Sequence, residues 1–189
     1  MNRHTLESTF TDIYHKESDA LFRFCFFRIS DREQALDLVQ EIFTRFWQTL
    51  NDKGHSIEHT RAFLYTIARN AIIDWYRKKK PVSLEGLEDP ETEEPYEQLS
   101  DSALIDSKLE GEGRFLIEAI SKLSPGHRDA VFLRFVEGMP PPEIAKVLKI
   151  STNAVSVRIN RGIDELRKLT GYDKEIGPGD NSTQKHSPQ

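Results

Sequence analysis

The residues best suited to a defined chemistry lie in one stretch, 61–80, with the sequence RAFLYTIARNAIIDWYRKKK. This stretch has six basic residues against Asp74 alone, a net charge of +5 in a chain whose total is −5. Cations attract phosphates, aromatic rings stack on unpaired bases, and an amide can form two hydrogen bonds with a base edge. The candidate nucleic-acid-binding residues lie on the polar side and basic end of the predicted helix: Tyr65, Thr66, Arg69, Asn70, Ile73, Tyr76, Arg77 and Lys78. The alternative is an ordinary core helix whose basic C-terminal end is favoured by the helix dipole.

The helix that positions these residues is predicted by apolar residues at helical spacing. They form one arc on the other side of the helix: Leu64, Ile67, Ala68, Ala71, Ile72 and Trp75. Tyr65 lies at the edge of the polar face, so we expect it to be accessible.

Composition and charge narrow the class of protein. The chain has 189 residues, of which 37% are hydrophobic and 30% charged, as in proteins with one domain or two small ones. No apolar run approaches the roughly 18 residues that a membrane-spanning helix needs, and the start MNRHTLES is not a signal peptide. Cys25 is the only cysteine, which excludes a disulfide framework, and His55 and His59 have no third ligand nearby for a metal. We therefore expect a cytoplasmic protein without cofactor or metal.

The charges are segregated along the chain. Residues 1–60 have a net charge of −3, residues 81–112 of −10 and residues 113–170 of +4. Two basic segments thus flank a strongly acidic one, a pattern that a uniformly acidic enzyme would not have.

Two further helices precede the basic stretch. A long helix is predicted for 5–29, and Ser30 with Glu33 has the spacing of a capping box that starts a second helix, reaching about Leu50. The apolar stripe of the second helix comprises Val39, Ile42, Phe43, Phe46 and Leu50. Its opposite side has acidic and amide residues: Asp37, Gln40, Glu41, Thr44 and Gln48. Taken alone, that side is more typical of an ordinary solvated face.

The second half of the chain predicts a linker, a small helical domain and a tail. Residues 81–112 are rich in Pro, Glu and Asp and bury too little apolar surface to order themselves. Residues 113–170 predict four helices, and the last two have the pattern of a helix-turn-helix. Ser151 is the expected N-cap of its second helix, with Ile150 and Val155 placed as a hydrophobic staple. The predicted recognition face comprises Asn153, Ser156, Val157, Arg158, Asn160 and Arg161. Residues 171–189 predict a disordered tail.

Both halves resemble a known family. ALDLVQEIFTRFW with FLYTIARNAIIDWYRKKK, and later LSPGHRDAVFLRFVEGMPPPEIAKVLKISTNAVSVRINRGIDELRKL, resemble the two conserved regions of bacterial sigma factors of the extracytoplasmic-function (ECF) group. The resemblance implies an all-α fold with two small domains, a region-two-like domain at 1–80 and a region-four-like domain at 113–170. It also implies a factor that directs promoter recognition and transcription initiation by RNA polymerase.

The resemblance assigns roles to the candidate residues. The face with Asp37, Gln40 and Glu41 would bind core RNA polymerase. The helix around Asn70 would melt the −10 promoter element and read it as a single strand, and the recognition helix with Arg158 and Arg161 would read the −35 duplex. An anti-sigma factor is the expected regulatory partner, and the free protein is expected to be a monomer that does not insert into membranes.

The sequence departs from the family pattern in the helix-turn-helix. Lys149 stands where the family usually has glycine, and Pro141 and Pro142 replace a polar and an aromatic residue. Ser156 and Val157 replace a commoner basic and small pair, which predicts an unusual −35 preference.

Three other classes of protein fit less well. A conventional two-domain regulator would have a sensor half, usually with strands, and residues 1–60 show no period-two alternation. A nucleic-acid enzyme needs a cluster of acid, base or metal-binding residues, and the six histidines are scattered. A helical adaptor that binds only protein would leave the basic stretch unexplained.

Overall fold

A computed structural model describes residues 3–53, 57–79 and 112–171, and within these ranges all regular structure is helical. The seven α-helices of the described residues are α1 (Arg3–Ile29), α2 (Arg32–Lys53), α3 (Thr60–Lys79), α4 (Glu112–Ser121), α5 (Pro125–Val131), α6 (Pro141–Leu148) and α7 (Thr152–Thr170). A π-helical turn, Phe132–Val136, continues α5. The predicted all-α fold is confirmed. The predicted linker, up to residue 111, and the predicted tail, from residue 172, lie outside the described residues.

Helices α1, α2 and α3 form the N-terminal unit around an apolar core. The predicted apolar stripe of α2 is buried along its whole length, from Val39 to Leu50. It packs on Leu21, Phe24 and Cys25 of α1 and on the apolar arc of α3. Burial raises the pKa of the Cys25 thiol to about 12, so this cysteine is an inert core side chain.

The connection between α1 and α2 differs from the prediction. Ser30 is not the N-cap of α2, because it ends α1 in a left-handed conformation with φ of 56°. The cap is Asp31, whose Oδ1 accepts a hydrogen bond from the Gln34 N–H at 3.1 Å. An aspartate caps a helix as well as a serine does. Ser30 therefore makes the turn between α1 and α2, and Asp31 caps α2.

Helices α4 to α7 form the C-terminal unit, in which α5 and α7 cross closely. The crossing point is Gly162, where a Cβ atom would lie 2.5 Å from Cγ2 of Val131. The chain leaves the π-helical turn at Gly138, which has φ of +65° and ends the helical segment as predicted.

The helix-turn-helix is formed by α6 and α7, as predicted. Lys149 ends α6 in the left-handed conformation, with φ of 55° and ψ of 40°, and Ser151 Oγ accepts a hydrogen bond from the Ala154 N–H at 3.1 Å. The proline run does not distort α6, because Pro141 is its first residue, where no N–H is needed. The shared core of the two helices is buried and includes Ile144, Leu148, Val155 and Ile159.

The two units pack against each other. Helix α3 lies along α6, and one apolar cluster runs through both units. At the boundary Phe132 of the π-helical turn stacks on Phe27 of α1, with ring centroids 4.5 Å apart.

Candidate nucleic-acid interface

The basic end of α3 is exposed to solvent. Arg77, Lys78 and Lys79 are exposed, and they lie in the last turn, where the helix dipole favours positive charge. The Lys79 ammonium lies 4.6 Å from the centroid of the Trp75 ring. This end of the helix therefore presents a cationic and aromatic surface of the kind that binds single-stranded nucleic acid.

The middle of the predicted α3 face is half-buried. Arg69, Asn70, Ile73 and Tyr76 are all partly accessible, and so is Thr66, whose hydroxyl donates to the Ala62 carbonyl at 2.7 Å. These side chains lie on one side of the helix, as the periodicity predicts. Of the predicted core arc, Trp75 is also only half-buried, and its indole N–H donates to Gln34 Oε1 at 3.0 Å.

The expected accessibility of Tyr65 is wrong for this structure. Its side chain is fully buried, with the ring edge-on to Phe24 at a centroid distance of 5.0 Å. Its hydroxyl donates a hydrogen bond to Glu137 Oε2 at 2.8 Å. The C-terminal unit covers this position, and burial followed by the nearby Glu137 charge raises the pKa of Tyr65, so the hydroxyl remains a donor.

The Tyr76 side chain is held in place by a contact with α1. Its hydroxyl donates to the backbone carbonyl of Arg28 in α1, and burial raises its pKa. The two tyrosines predicted to meet unpaired bases are therefore both engaged within the protein in this structure.

The predicted polymerase-binding face of α2 is exposed at all five positions: Asp37, Gln40, Glu41, Thr44 and Gln48. Glu41 forms an ion pair with Arg45 at 2.5 Å, and the Thr44 hydroxyl donates to the Gln40 carbonyl at 2.8 Å. Leu36, 43% exposed beside Asp37, belongs to the same surface. The sequence prediction missed Leu36 and Arg45, although Leu36 lies four residues before Gln40 and Arg45 four residues after Glu41.

A groove between α2 and α3 connects this face to the basic end of α3. It has a volume of about 420 Å³, and its walls include Asp37 and Glu41 on one side and Arg77 and Lys78 on the other. Acidic and basic surfaces of the N-terminal unit thus meet across a short distance, with Trp75 between them.

The recognition face of α7 is exposed except for one residue. Asn153, Ser156, Val157, Asn160 and Arg161 are open to solvent, while Arg158 is half-buried. The Arg158 side chain lies over the first turn of α5, where Nη1 is 3.3 Å from the position of a Cβ atom at Gly126. Gly126 therefore leaves the space that this arginine occupies, a role that the sequence pattern did not suggest.

A polar cluster fixes α7 against α5. Nδ1 of His127 lies 2.8 Å from Glu165 Oε2 and 2.8 Å from Ser124 Oγ, and the Ser124 N–H donates to Glu165 Oε1 at 3.1 Å. Burial opposes ionisation of Glu165, but the hydrogen bonds from His127 and Ser124 lower its pKa, so the carboxylate is charged. The cluster holds the recognition helix at a fixed angle to the rest of its unit.

No group of three or more His, Cys, Asp and Glu side chains is placed to hold a metal ion in the described residues. Among the described helices, none is both long and apolar enough to cross a membrane.

Comparison with known proteins agrees with this arrangement. Residues 13–82 match the family model of Sigma-70 region 2, and residues 116–166 match Sigma-70 region 4. The ECF RNA polymerase sigma factor SigX of Bacillus subtilis is 30% identical over 169 residues, which cover 86% of this chain and 84% of SigX.

Two solved structures are similar along most of the chain. CnrH, in complex with the cytosolic domain of CnrY, aligns with a TM-score of 0.62 and 26% identity over 88% of this chain and 90% of CnrH. The sigma factor RpoE of Bartonella quintana, in complex with the anti-sigma factor NepR, aligns with a TM-score of 0.66 over 87% of this chain and 98% of RpoE. At 20% identity, the second likeness bears on the fold alone.

Proposed function

The chain belongs to the ECF group of RNA polymerase sigma factors, and we propose that α2, α3 and α7 carry its three binding functions. As a sigma factor it directs promoter recognition and transcription initiation by RNA polymerase. The proposal assigns core polymerase to the exposed face of α2, the −10 strand to α3 and the −35 duplex to α7. The observation that carries it is the division of α2 into a buried apolar side and an exposed polar side that contains all the predicted polymerase-binding residues.

The polymerase-binding assignment rests on charge and exposure. Asp37 and Glu41 lie one helical turn apart on the solvent side of α2, with Leu36 exposed beside them. A surface with exposed acidic residues and an apolar residue at one end suits a basic partner surface, since complementary charge steers association and sets the register.

The −10 assignment rests on the chemistry of α3. Asn70 has a donor and an acceptor, Arg69 lies next to it in the sequence, and the cationic end from Arg77 to Lys79 follows on the same helix. Such a surface can attract the phosphates of a separated strand and stack or hydrogen-bond its bases.

The −35 assignment rests on the helix-turn-helix. Its second helix presents Asn153, Asn160 and Arg161 to solvent, and amide and guanidinium groups make the bidentate contacts that distinguish bases in the major groove. Val157, 40% exposed, adds an apolar group that can contact a thymine methyl.

The regulation of the chain follows from its relatives. CnrH is bound by the cytosolic domain of CnrY, and we propose that an anti-sigma factor holds this chain in a similar way. The protein would act in the cytoplasm as a monomer when free, without catalysing a reaction of its own.

Run-off transcription with purified core RNA polymerase and fragmented genomic DNA tests the proposed function. We expect discrete transcripts that depend on the protein and share −10 and −35 sequences upstream. A variant with Asn153, Asn160 and Arg161 all changed to alanine should lose these transcripts while it still binds core polymerase in a pull-down assay. Transcription at the same starts without the protein, or retained promoter choice in the variant, would contradict the assignment.

A further inference from the structure

The two arginines of the recognition face differ from the other arginines of the structure. Each of the others whose side chain the structure describes makes an ion pair, a hydrogen bond or a contact with an aromatic ring. Arg158 and Arg161 of α7 make none of these with any described residue. A guanidinium carries a fixed charge and several N–H donors. Both side chains are therefore available to a ligand outside the protein, and in a helix-turn-helix that ligand is DNA.

Arg158 is half-buried without a counter-ion among the described residues. Its guanidinium lies against the first turn of α5: Nη1, Cζ and Nε are 3.3, 3.4 and 3.6 Å from the position that a Cβ atom would take at Gly126. Gly126 thus keeps open the space that the guanidinium occupies. Partial burial of an unpaired charge costs free energy, which is recovered when an anion binds to it. The position of Arg158 therefore favours an anionic ligand.

Arg158 lies on the side of α7 that faces α5. Gly162 follows it by four residues and Glu165 by seven, a spacing that places the three residues on one side of the helix. Gly162 is in close contact with α5, and Glu165 accepts a hydrogen bond from the backbone at the start of α5. The residues assigned to base reading, Asn153 and Asn160, lie about 140–160° around the helix from Arg158. The Arg158 side chain therefore extends along the edge of the recognition face, toward α5, and not in the direction of the asparagines.

A side chain in this position is suited to a DNA phosphate. A recognition helix lies in the major groove, where the side chains of its outer face reach base edges. The phosphates run along the rims of that groove, within reach of side chains at the edges of the helix. At least half of the hydrogen bonds in protein–DNA complexes go to phosphate and sugar groups and fix the register of the protein. A phosphate also accepts a pair of parallel N–H groups from a guanidinium, and it supplies the counter-ion that Arg158 lacks within the described residues.

We propose that Arg158 binds a backbone phosphate at the edge of the −35 element and that Gly126 is the positioning residue that holds the guanidinium in place. This inference rests on the proposed −35 role of α7. It gives the two arginines different tasks. Arg161, exposed on the recognition face, reads a base, whereas Arg158 fixes how deeply and at what angle α7 lies in the groove. Helix α5 contributes to the DNA interface through Gly126.

Holoenzymes made from core polymerase and full-length variants test the proposal. The ligand is a fluorescent duplex that contains the −35 element of a promoter found by run-off transcription and ends before the −10 element. A series of duplexes with single base changes in the element is measured beside it. Affinity is measured by fluorescence anisotropy at several salt concentrations. The matched control is R167A, which removes the same charge from an exposed arginine in the last turn of α7, where Arg167 pairs with Asp164.

R158A should weaken binding to every duplex of the series by the same factor, about tenfold, because a phosphate contact carries no sequence information. The slope of log affinity against log salt should become less steep by about 0.9, the value for one neutralised phosphate in B-DNA. R158K should restore the slope, since lysine keeps the charge. R167A should behave as wild type in affinity and slope. R161A should instead lose discrimination at one base pair of the element.

A second position tests the role of Gly126. In G126V the side chain fills the space of the guanidinium, so −35 binding should weaken in the wild-type background and change no further in R158A. A general defect of the fold would weaken binding in both backgrounds. Circular dichroism checks that each variant keeps its helical content. If G126V does not fold, G126A, which places only a Cβ atom 3.3 Å from Nη1 of Arg158, takes its place in the same comparison.

Three results would overturn the phosphate contact: an R158A slope equal to that of wild type, an R158A defect confined to particular base changes, or a slope that R158K does not restore. An equal effect of the Gly126 variant with and without Arg158 would overturn the positioning role. An error in the proposed −35 role would show differently, because wild-type holoenzyme would then bind the −35 duplex no better than a duplex of shuffled sequence. That result would overturn the −35 assignment of α7 and this inference together.

Discussion

Gly162 of α7 and Val131 of α5 are in contact so close that only glycine fits between the helices. A Cβ atom at position 162 would lie 2.5 Å from Cγ2 of Val131 and 3.3 Å from Cβ of His127. Val131 is 1% exposed, and its β-branched side chain has little freedom to move away. This contact sets the distance between the recognition helix and the rest of its unit.

We therefore expect G162A to destabilise the protein by about 1–3 kcal/mol, the usual range for an overpacked core. The measurement is thermal or urea unfolding followed by circular dichroism. The double variant V131A/G162A should recover part of the loss, because the clashing methyl group is gone. G126A is a control, since a Cβ there meets only the flexible Arg158 side chain. A G162A protein as stable as wild type would contradict this account of the helix crossing.

The polymerase-binding face of α2 can be tested by charge reversal. Asp37 and Glu41 are both exposed, so D37K/E41K should leave the fold intact and weaken binding to core polymerase by tenfold or more, about 1.4 kcal/mol. Affinity is measured by fluorescence anisotropy of the labelled protein. The variant E118K/D164K makes the same charge change in the C-terminal unit and should bind normally. Equal affinities for the two variants would show that α2 does not dock on polymerase.

The strand-reading role of Asn70 predicts a selective defect. N70A should reduce discrimination at one −10 base by about 1–3 kcal/mol, because the amide pairs with a base edge, and should spare binding to the −35 duplex. The matched variant N160A, on α7, should have the opposite effect. Both are measured with holoenzyme on promoters with single-base changes. If the N70A holoenzyme opens promoters with unchanged base preference, Asn70 does not read the −10 strand and is only a surface residue.

Lys149 is predicted to strain the turn of the helix-turn-helix. It has φ of 55°, which costs a side chain with a Cβ atom about 1 kcal/mol relative to glycine. K149G should therefore raise the melting temperature. K146G, in the interior of α6, should lower it, because glycine there destabilises the helix by a similar free energy. A lower melting temperature for K149G would mean that contacts of the lysine outweigh the strain.

Acid should favour the packing of the two units against each other through Glu137, which contacts Tyr65 and Arg61 of the N-terminal unit. Burial raises the pKa of this carboxyl, against the effects of the Tyr65 hydrogen bond and of the Arg23 and Arg61 charges, and Glu17 raises it further. Its Oε1 is buried without a hydrogen-bond partner, so a proton there displaces no hydrogen bond, although it weakens the attraction to Arg23 and Arg61.

The direction of the pH effect follows from the linkage between protonation of Glu137 and packing of the two units. A carboxyl whose pKa is higher when the two units are packed together than when they are apart stabilises their packing below its ordinary pKa. This stabilisation is lost as the pH rises through the raised value. The radius of gyration should therefore increase with pH over the range just above the ordinary glutamate pKa. In E137Q this dependence should disappear, whereas the control E118Q should keep it. A wild-type radius independent of pH would contradict the assignment.

Much of the fold was predictable because it depends on local periodicity. The two sides of α2 and the core of the helix-turn-helix follow from apolar residues at helical spacing, and Ser151 was recognisable as a cap. At the start of α2, two good capping residues stand next to each other, and only the backbone geometry selects Asp31 over Ser30.

The contacts between the units were not predictable in this way. Arg28 and Asp129 are 101 residues apart in the sequence, and nothing in the pattern around either residue indicates a partner. The burial of Tyr65 depends on the same contacts, so a residue that lies at the edge of the polar face of α3 is covered by another unit. The exposed residues of α2 and α7 were placed correctly because no other unit covers them.

The stacking of Phe132 on Phe27 makes the packing of the two units depend on temperature. Separating the two units would hydrate these rings, and newly hydrated apolar surface raises the heat capacity. The free energy that holds the two units together therefore varies with temperature along a curve that has a maximum. Below that maximum the aromatic contact weakens on cooling, and the fraction of protein with separated units rises. Temperature alone would then change how often the two units separate, before any partner protein is bound or released.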